Sequence, residues 1–498
     1  MATLNAWKMA GAVLLLCAGA AIAAPAQTFK TLAHFDRMNG AYPRGSLVQG
    51  VNGNLYGTTE HGGANGSQGG TIFEVTPGGK LTSLYSFCPQ APNCTDGELP
   101  QSGLVQATNG NFYGTTLYGG ANDNGTYCLA GCGTVFEITP TGKLTTLYSF
   151  CSQPNCTDGV EPYAGLLQAT NGNFYGTTQS GGANNASSCT TNITSGCGTV
   201  FEITPAGKLT TLYSFCSQPN CADGWEPLAG LVQATNGNLY GTTNRGGIGL
   251  EGNTVGTVFE ITTAGQLTTL YTFCSQPNCT DGEYPSMSLV QATNGNFYGT
   301  TDGGGANGGG TVFEITSAGQ LTTLYNFCSQ SPCPDGGGPN GLVEASDGNF
   351  YGTTVNGGAN GGGTIFELTP AGQLTTLYSF CCTDGVDPNG LVQATNGNFY
   401  GTTVSKYGQG TVFSLSVGLV PFVETLPGAG TAGAEVGILG NKLSGATSVT
   451  FNGTPAQFKV KSPTLILTHV PDGATSGYVT VITPSGTLTS NVPFHVIP

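Results

Sequence analysis

Charge is scarce in this chain. Asp, Glu, Lys and Arg make up 8% of its 498 residues, and Arg37, Arg44 and Arg245 are the only arginines. The formal net charge is −15, with no basic run anywhere. Such a surface repels phosphate backbones, which excludes nucleic acid as a natural partner. Past residue 26 no stretch of about 18 apolar residues occurs, so no transmembrane segment is expected in the mature chain. The four histidines, His34, His61, His469 and His495, are scattered. No Ser-His-Asp elbow, phosphate-binding Gly loop or metal-ligand cluster stands out, and the Gly runs at 303–305 and 308–310 are loop spacers. Catalytic residues are therefore not assigned, and the reading leans away from an enzyme.

Strong helix formers are also sparse, whereas Gly (82 residues), Thr, Asn and Ser abound. That mixture favours strands joined by tight turns. Residues 1–26 have the make-up of a secretory signal peptide, with Lys8, an apolar run from Ala10 to Ile22 and small residues near Ala23 to Ala26. A secreted, extracellular or bacterial cell-envelope location follows from it.

Internal repetition decides the fold. The Tyr of Tyr-Gly-Thr-Thr recurs at Tyr56, Tyr113, Tyr175, Tyr240, Tyr298, Tyr351 and Tyr400. Each repeat holds four strand-like runs, in the second repeat 103–107, 111–116, 133–139 and 143–150. Asn109-Gly110 between the first two predicts a type I′ hairpin. Four antiparallel strands per repeat of about 50 residues make the blade of a β-propeller. The seventh repeat stops after its third run, 410–416, while residues 29–35 match the fourth-run pattern. The expectation is an all-β, seven-bladed propeller over 27–417 whose last blade takes its outer strand from the N-terminus.

The units resemble the Gloeo/Verruco (GloVer) tandem repeat of exported bacterial choice-of-anchor proteins. The resemblance rests on Gly-x-Leu-Val-Gln-Ala-Thr-Asn-Gly-Asn-Phe-Tyr-Gly-Thr-Thr and Gly-Thr-Val-Phe-Glu-Ile-Thr across residues 29–416. It implies an exported repeat protein and no particular activity. From 418 to 498 the pattern changes to short alternating strands with turns at Asn452-Gly453 and Asp472-Gly473. This segment resembles an IPT/TIG domain, an immunoglobulin-like β-sandwich. The resemblance implies an interaction or spacer module.

Length variation is confined to the second-to-third loops and the crossings between repeats, so function is expected on that face. It carries the cysteines in local pairs: Cys88/Cys94, Cys151/Cys156, Cys216/Cys221, Cys274/Cys279, Cys328/Cys333 and Cys381/Cys382 in crossings, and Cys128/Cys132 and Cys189/Cys197 in long loops. In an exported chain these read as disulfides, although adjacent Cys381 and Cys382 would strain a mutual bridge and could have other partners. Each crossing also has Asp-Gly-x-x-Pro, with Asp96, Asp158, Asp223, Asp281, Asp335 and Asp384, and Asn39 in the first. These carboxylates could hold calcium, but the turn itself calls for Asp, and no cofactor is assigned. The repeated Glu of Phe-Glu-Ile-Thr reads as a packing feature, because one catalytic site needs one acid and one base.

Non-repeated residues carry more information. Trp225, Tyr42 and Tyr284 occupy variable crossing positions beside Glu226, Glu161 and Glu98, where exposed rings and carboxylates would suit a sugar or a peptide; the structural alternative is that Trp225 packs over a disulfide between blades. The sequence is thus read as a non-enzymatic binding protein for an extracellular polysaccharide or protein. The alternatives are a propeller-based polysaccharide lyase or glycoside hydrolase, and a structural cell-surface spacer.

Overall fold

A computed structural model describes residues 27–497, apart from 67, 90–93, 123–127, 129, 187–188, 190–195, 253, 382 and 405–408. The expected signal peptide and Cys382 lie outside the described residues. The chain is all-β and propeller-like. Each of the first six repeats forms a four-stranded antiparallel sheet in chain order. In the second repeat the strands are Val105–Gln106, Phe112–Thr116, Thr134–Ile138 and Leu144–Ser149. The inner strand is shorter than its apolar pattern suggests, because the Ala107 amide and carbonyl already serve the turn that follows.

That turn corrects one expectation. The Gly110 N–H donates to the Ala107 carbonyl (2.8 Å), and within Thr108–Gly110 only Gly110 is left-handed (φ 84°). A type I′ turn needs positive φ at both central residues, whereas a three-residue loop needs one glycine at its end. Asn109 instead donates its side-chain amide to the Tyr113 hydroxyl (2.8 Å).

The N-terminal strand completes the last repeat as expected. Thr28–Phe35 pairs antiparallel with Gly410–Ser416, from Thr28 opposite Ser416 to Phe35 opposite Gly410. Two sets of contacts then run from sheet to sheet and return to the start. The inner-strand Gln106 accepts from the Val51 amide of the preceding repeat (2.9 Å), Gln168 from Thr108 and Gln233 from Thr170. Gln291, Glu344 and Gln393 continue the series, and Gln49 of the first repeat accepts from Thr395 of the last (2.8 Å). The outer-strand Phe of each repeat meets the third-strand Phe of the next, as in Phe150 with Phe201 (5.2 Å), and Phe35 meets Phe73 (5.0 Å). These edge-to-face pairs are buried between sheets, where aromatic area contributes most.

The C-terminal residues form two further four-stranded sheets around Val436, Ile438, Phe451, Ile466, Val481 and Phe494. This module rests on the short-turn end of the repeats: Thr464 Oγ1 donates to the Val51 carbonyl (2.8 Å) and the Phe422 amide to that of Thr395 (3.0 Å). The crossings and long loops lie at the opposite end.

Candidate functional site

At the short-turn end every repeat builds nearly the same lattice. In the second repeat the Tyr113 hydroxyl donates to Glu137 (2.8 Å), and Asn111 donates its amide to the same carboxylate oxygen (2.7 Å). The equivalent Tyr–Glu bonds recur at Tyr56, Tyr175, Tyr240 and Tyr298. These Glu carboxylates are therefore occupied in holding the wall.

At the crossing end the Asp of each Asp-Gly turn is likewise occupied. Asp158, fully buried, accepts from the Tyr148 hydroxyl (2.8 Å) and from the Ser152 (2.9 Å) and Gln153 (3.3 Å) amides. Asp223 and Asp281 repeat the arrangement, and Asp96, Asp335 and Asp384 keep the tyrosine bond. These acids tie each crossing to the outer strand behind it, which is the turn role. Seven of the expected disulfides are formed: Cys88–Cys94, Cys128–Cys132, Cys151–Cys156, Cys189–Cys197, Cys216–Cys221, Cys274–Cys279 and Cys328–Cys333. Cys381 is a free thiol among the described residues.

After Asp-Gly, each crossing pairs briefly with the end of its own second strand, as in Glu98 with Tyr118 and Trp225 with Arg245. The next residue is left-handed in every repeat, non-glycine in six: Tyr42, Leu99, Glu161, Glu226, Tyr284 and Asp387 have φ of 50–59°. That conformation is sterically disfavoured for non-glycine residues, and the bonds around it over-determine it.

The predicted site residues are gathered in part. Arg245, which sequence reading left out, holds three of them. Its guanidinium carbon lies 5.6 Å from both the Trp225 and Tyr284 rings, and its Nε is 2.9 Å from Glu226 Oε2. Trp225 is half-buried against the core around Cys189 and Cys197, which agrees with the packing over a disulfide that the sequence allowed and leaves less of the ring for a ligand. Glu161 is buried (7% exposed), and burial, with Glu226 nearby, pushes its carboxyl up to about 7 against the opposing Ser180 hydrogen bond. Burial also raises Glu98, which stands apart from the Arg245 group. Tyr42 packs edge-on to His61 (5.3 Å) and beside Arg44 (6.0 Å).

Sequence reading tied the central channel only to the enzyme alternative and named no residue there. A cavity of about 450 Å³ is bordered by all seven repeats, each contributing the segment after its crossing Pro. The residue directly after that Pro is Arg44, Gln101, Tyr163, Leu228, Ser286, Asn340 or Asn389, so it almost never repeats. Aligning the repeats on the Pro would have exposed this signal. Glu60, 9% exposed, organises one side by accepting from Arg44 Nε (2.5 Å) and Gln101 Nε2 (2.9 Å). Across the cavity Asp302 accepts from the Ser286 hydroxyl (2.8 Å), and burial raises its carboxyl above the ordinary range. The Tyr163 hydroxyl, raised chiefly by burial, has no hydrogen-bond partner among the described residues. Glycines and other small residues keep the cavity open: a Cβ on Gly103 would meet the Ser46 carbonyl at 2.7 Å and one on Gly390 the Ser46 hydroxyl at 2.4 Å.

The chain belongs to a family of tandem-repeat proteins. The Gloeobacter/Verrucomicrobia repeat model matches residues 20–186, 128–336 and 330–437, more than half of the sequence. The IPT/TIG domain model matches residues 423–496. No curated protein matches. Among solved structures, a protein from Bacteroides uniformis described as a candidate 6-phosphogluconolactonase is similar over 72% of this chain and 88% of its own (16% identity, TM-score 0.43). A luciferin-regenerating enzyme is similar over 80% and 98% (11% identity, TM-score 0.39). PorZ, a surface component of the type-IX secretion system of Porphyromonas gingivalis, is similar over 90% and 58% (15% identity, TM-score 0.46). These likenesses are too distant to carry function to this chain.

Proposed function

We propose that the chain is an exported, non-enzymatic binding protein: a signal peptide over 1–26, a closed seven-bladed β-propeller over 27–417 and an immunoglobulin-like IPT/TIG domain over 418–498. It acts outside the cell or in the envelope, and its crossing end contacts an extracellular glycan or protein. One observation carries this reading: seven near-identical repeats converge on a central cavity, and the residue that each places there after its crossing Pro differs from repeat to repeat. A uniform scaffold with divergent residues at one place is the distribution expected of a recognition surface. Seven disulfides at that end suit an oxidising compartment. The C-terminal module, resting on the other end, leaves the crossings uncovered.

The test is a glycan array and an extracellular-protein array probed with the purified mature protein and its Trp225→Ala and Tyr163→Ala variants. Binding weakened by either substitution supports the proposal. Absence of binding on both arrays, or identical binding by both variants, removes it.

A specific observation favours a second reading, that of a glycan-cleaving enzyme. Asp302 borders the cavity with its carboxyl raised by burial, as a general acid requires. Release of new reducing ends from a polysaccharide, abolished in Asp302→Asn, would establish that reading and displace the first.

A further inference from the structure

Around the central cavity the divergent residues are not mixed at random. The third, fourth and fifth repeats contribute Tyr163, Leu228 and Met287, an aromatic ring and two apolar side chains, and the fifth adds the polar Ser286 and Asp302. The sixth, seventh, first and second contribute Asn340, Asn356, Asn389, Arg44 and Gln101, with Val355 beside them. The larger apolar groups are thus gathered on one arc of the ring, and hydrogen-bonding groups make up most of the rest. Arg44 and Gln101 are fixed from behind by Glu60, so their remaining donors are pre-oriented. Asn389 serves the wall, donating to the Pro43 carbonyl (2.6 Å).

A pyranose has the matching division: a face of C–H groups that packs on an aromatic ring, and a girdle of hydroxyls that needs donors and acceptors. Charge narrows the class. The single cation at the cavity, Arg44, is balanced by Glu60, Asp302 adds a carboxylate, and the chain as a whole is at −15. Uronate or sulfated sugars would meet repulsion there. Shape narrows it again. The seven repeats ring the cavity, which is open at its mouth, so one sugar unit can seat within the ring while the rest of a chain stays outside it. Its volume falls within the roughly 300–1,000 Å³ of small-molecule sites.

We propose that the central cavity recognises the terminal unit of a neutral sugar chain, with Tyr163 as the stacking platform and Arg44 and Gln101 as hydroxyl ligands. This deepens the binding reading above and rests on it. Arg245 with Trp225 and Tyr284 is then a structural clasp between the fourth and fifth crossings.

Isothermal titration of the mature protein with neutral oligosaccharides of one to six units tests it, with a uronate oligomer in parallel. Affinity should level off after one or two units. Tyr163→Ala should weaken binding by about tenfold or more, since one lost aromatic contact is on the order of 1.4 kcal/mol. Tyr163→Phe should retain most of the affinity, because the ring remains, and Tyr478→Ala, which removes an exposed ring of the C-terminal module, should bind as the parent does. Circular dichroism melts matched to the parent confirm that each variant is folded. Affinity that keeps rising with chain length, preference for the uronate, or loss on Trp225→Ala with none on Tyr163→Ala would overturn the cavity inference and leave the binding reading standing. A captured protein partner with no sugar bound would do the same, and the absence of any bound sugar or protein would remove both.

Discussion

The two ends of the repeats are built from the same strands and follow opposite rules. At the short-turn end, Asn109, Tyr113 and Glu137 are copied as Asn171, Tyr175 and Glu202, and the bond lengths barely change. Even the departures are compensated: where the sixth repeat has Asp347 for Asn, Tyr351 donates to that Asp (3.0 Å), and where the seventh has Ser414 for Glu, Tyr400 keeps Asn396. At the crossing end, Asp-Gly and Pro are kept while the residues between and after them change from repeat to repeat. The left-handed position shows how this is tolerated. Its backbone is fixed by neighbours, as when the Gln179 amide donates to the Glu161 carbonyl, so side-chain identity is released from structural duty. A scaffold that specifies backbone through backbone bonds leaves its side chains free to differ.

The comparison breaks first if closure is not what holds the scaffold. Deleting residues 27–35 removes the strand against Gly410–Ser416 and takes Phe35 off Phe73. The denaturant midpoint should fall further than for any point variant, because a whole sheet edge, the buried Phe35 ring and the half-buried Phe29 ring are lost; a single buried Phe→Ala already costs about 3–5 kcal/mol. An unchanged midpoint would mean that the circuit of contacts is incidental.

A smaller effect distinguishes buried acids at the crossing end from those of the wall. Glu161 titrates near 7 in the folded chain, against about 4.3 when unfolded. Between those values the folded state holds a proton that the unfolded state has released. Stability is therefore fullest below the lower value, declines as pH rises towards 7, and changes no further above it. The decline should be at most about 4 kcal/mol, and Glu161→Gln should abolish it. Guanidinium unfolding at pH 5 and pH 8 measures the difference; equal slopes for parent and variant would show that Glu161 is ionised throughout. Next in size, removing Cys151–Cys156 by double Ser substitution should destabilise by about 2 kcal/mol, since so short a loop restricts the unfolded chain only modestly. A loss well above that would show that the bridge also supports the buried cluster around Val160 and Phe150.

What could be read from sequence divides along the same line. The repeated strands, the disulfide pairs and the borrowed N-terminal strand were legible because each is a local pattern recurring at one register. Thr28–Phe35 was anticipated as 29–35 from its likeness to the fourth run of the repeats and from the lack of that run in the seventh. The turn at Asn109-Gly110 misled because the dipeptide suits two turn types, and the choice between them lies in Asn109 bonding Tyr113 rather than turning left-handed. For Trp225 the sequence offered both an exposed ring and packing over a disulfide, and its contact with the cluster that holds Cys189 and Cys197 of the preceding repeat decides for the second. The cavity was hidden for the strongest reason: Arg44 and Asn389 stand at opposite ends of the chain and meet only when the last repeat packs on the first.

The smallest expected change is also the sharpest separation of the two ends. Arg44 is exposed and paired with Glu60, and Glu60 keeps the Gln101 amide if the guanidinium is removed. The pair is open to solvent only on the Arg44 side, but Arg44→Gln leaves an amide within reach of the Glu60 carboxylate, so the melting curve should shift by no more than about 1 kcal/mol. Tyr113→Phe, one hydroxyl at the other end, should cost more, because it strips a hydrogen bond from Glu137. If thermal unfolding ranks the two variants in that order while only Arg44→Gln alters ligand titration, stability and recognition reside at separate ends of the same strands. The reverse ranking would mean that Arg44 and Glu60 help to hold the repeats together, and that the residues differing between crossings were fixed by packing and not by what the cavity receives.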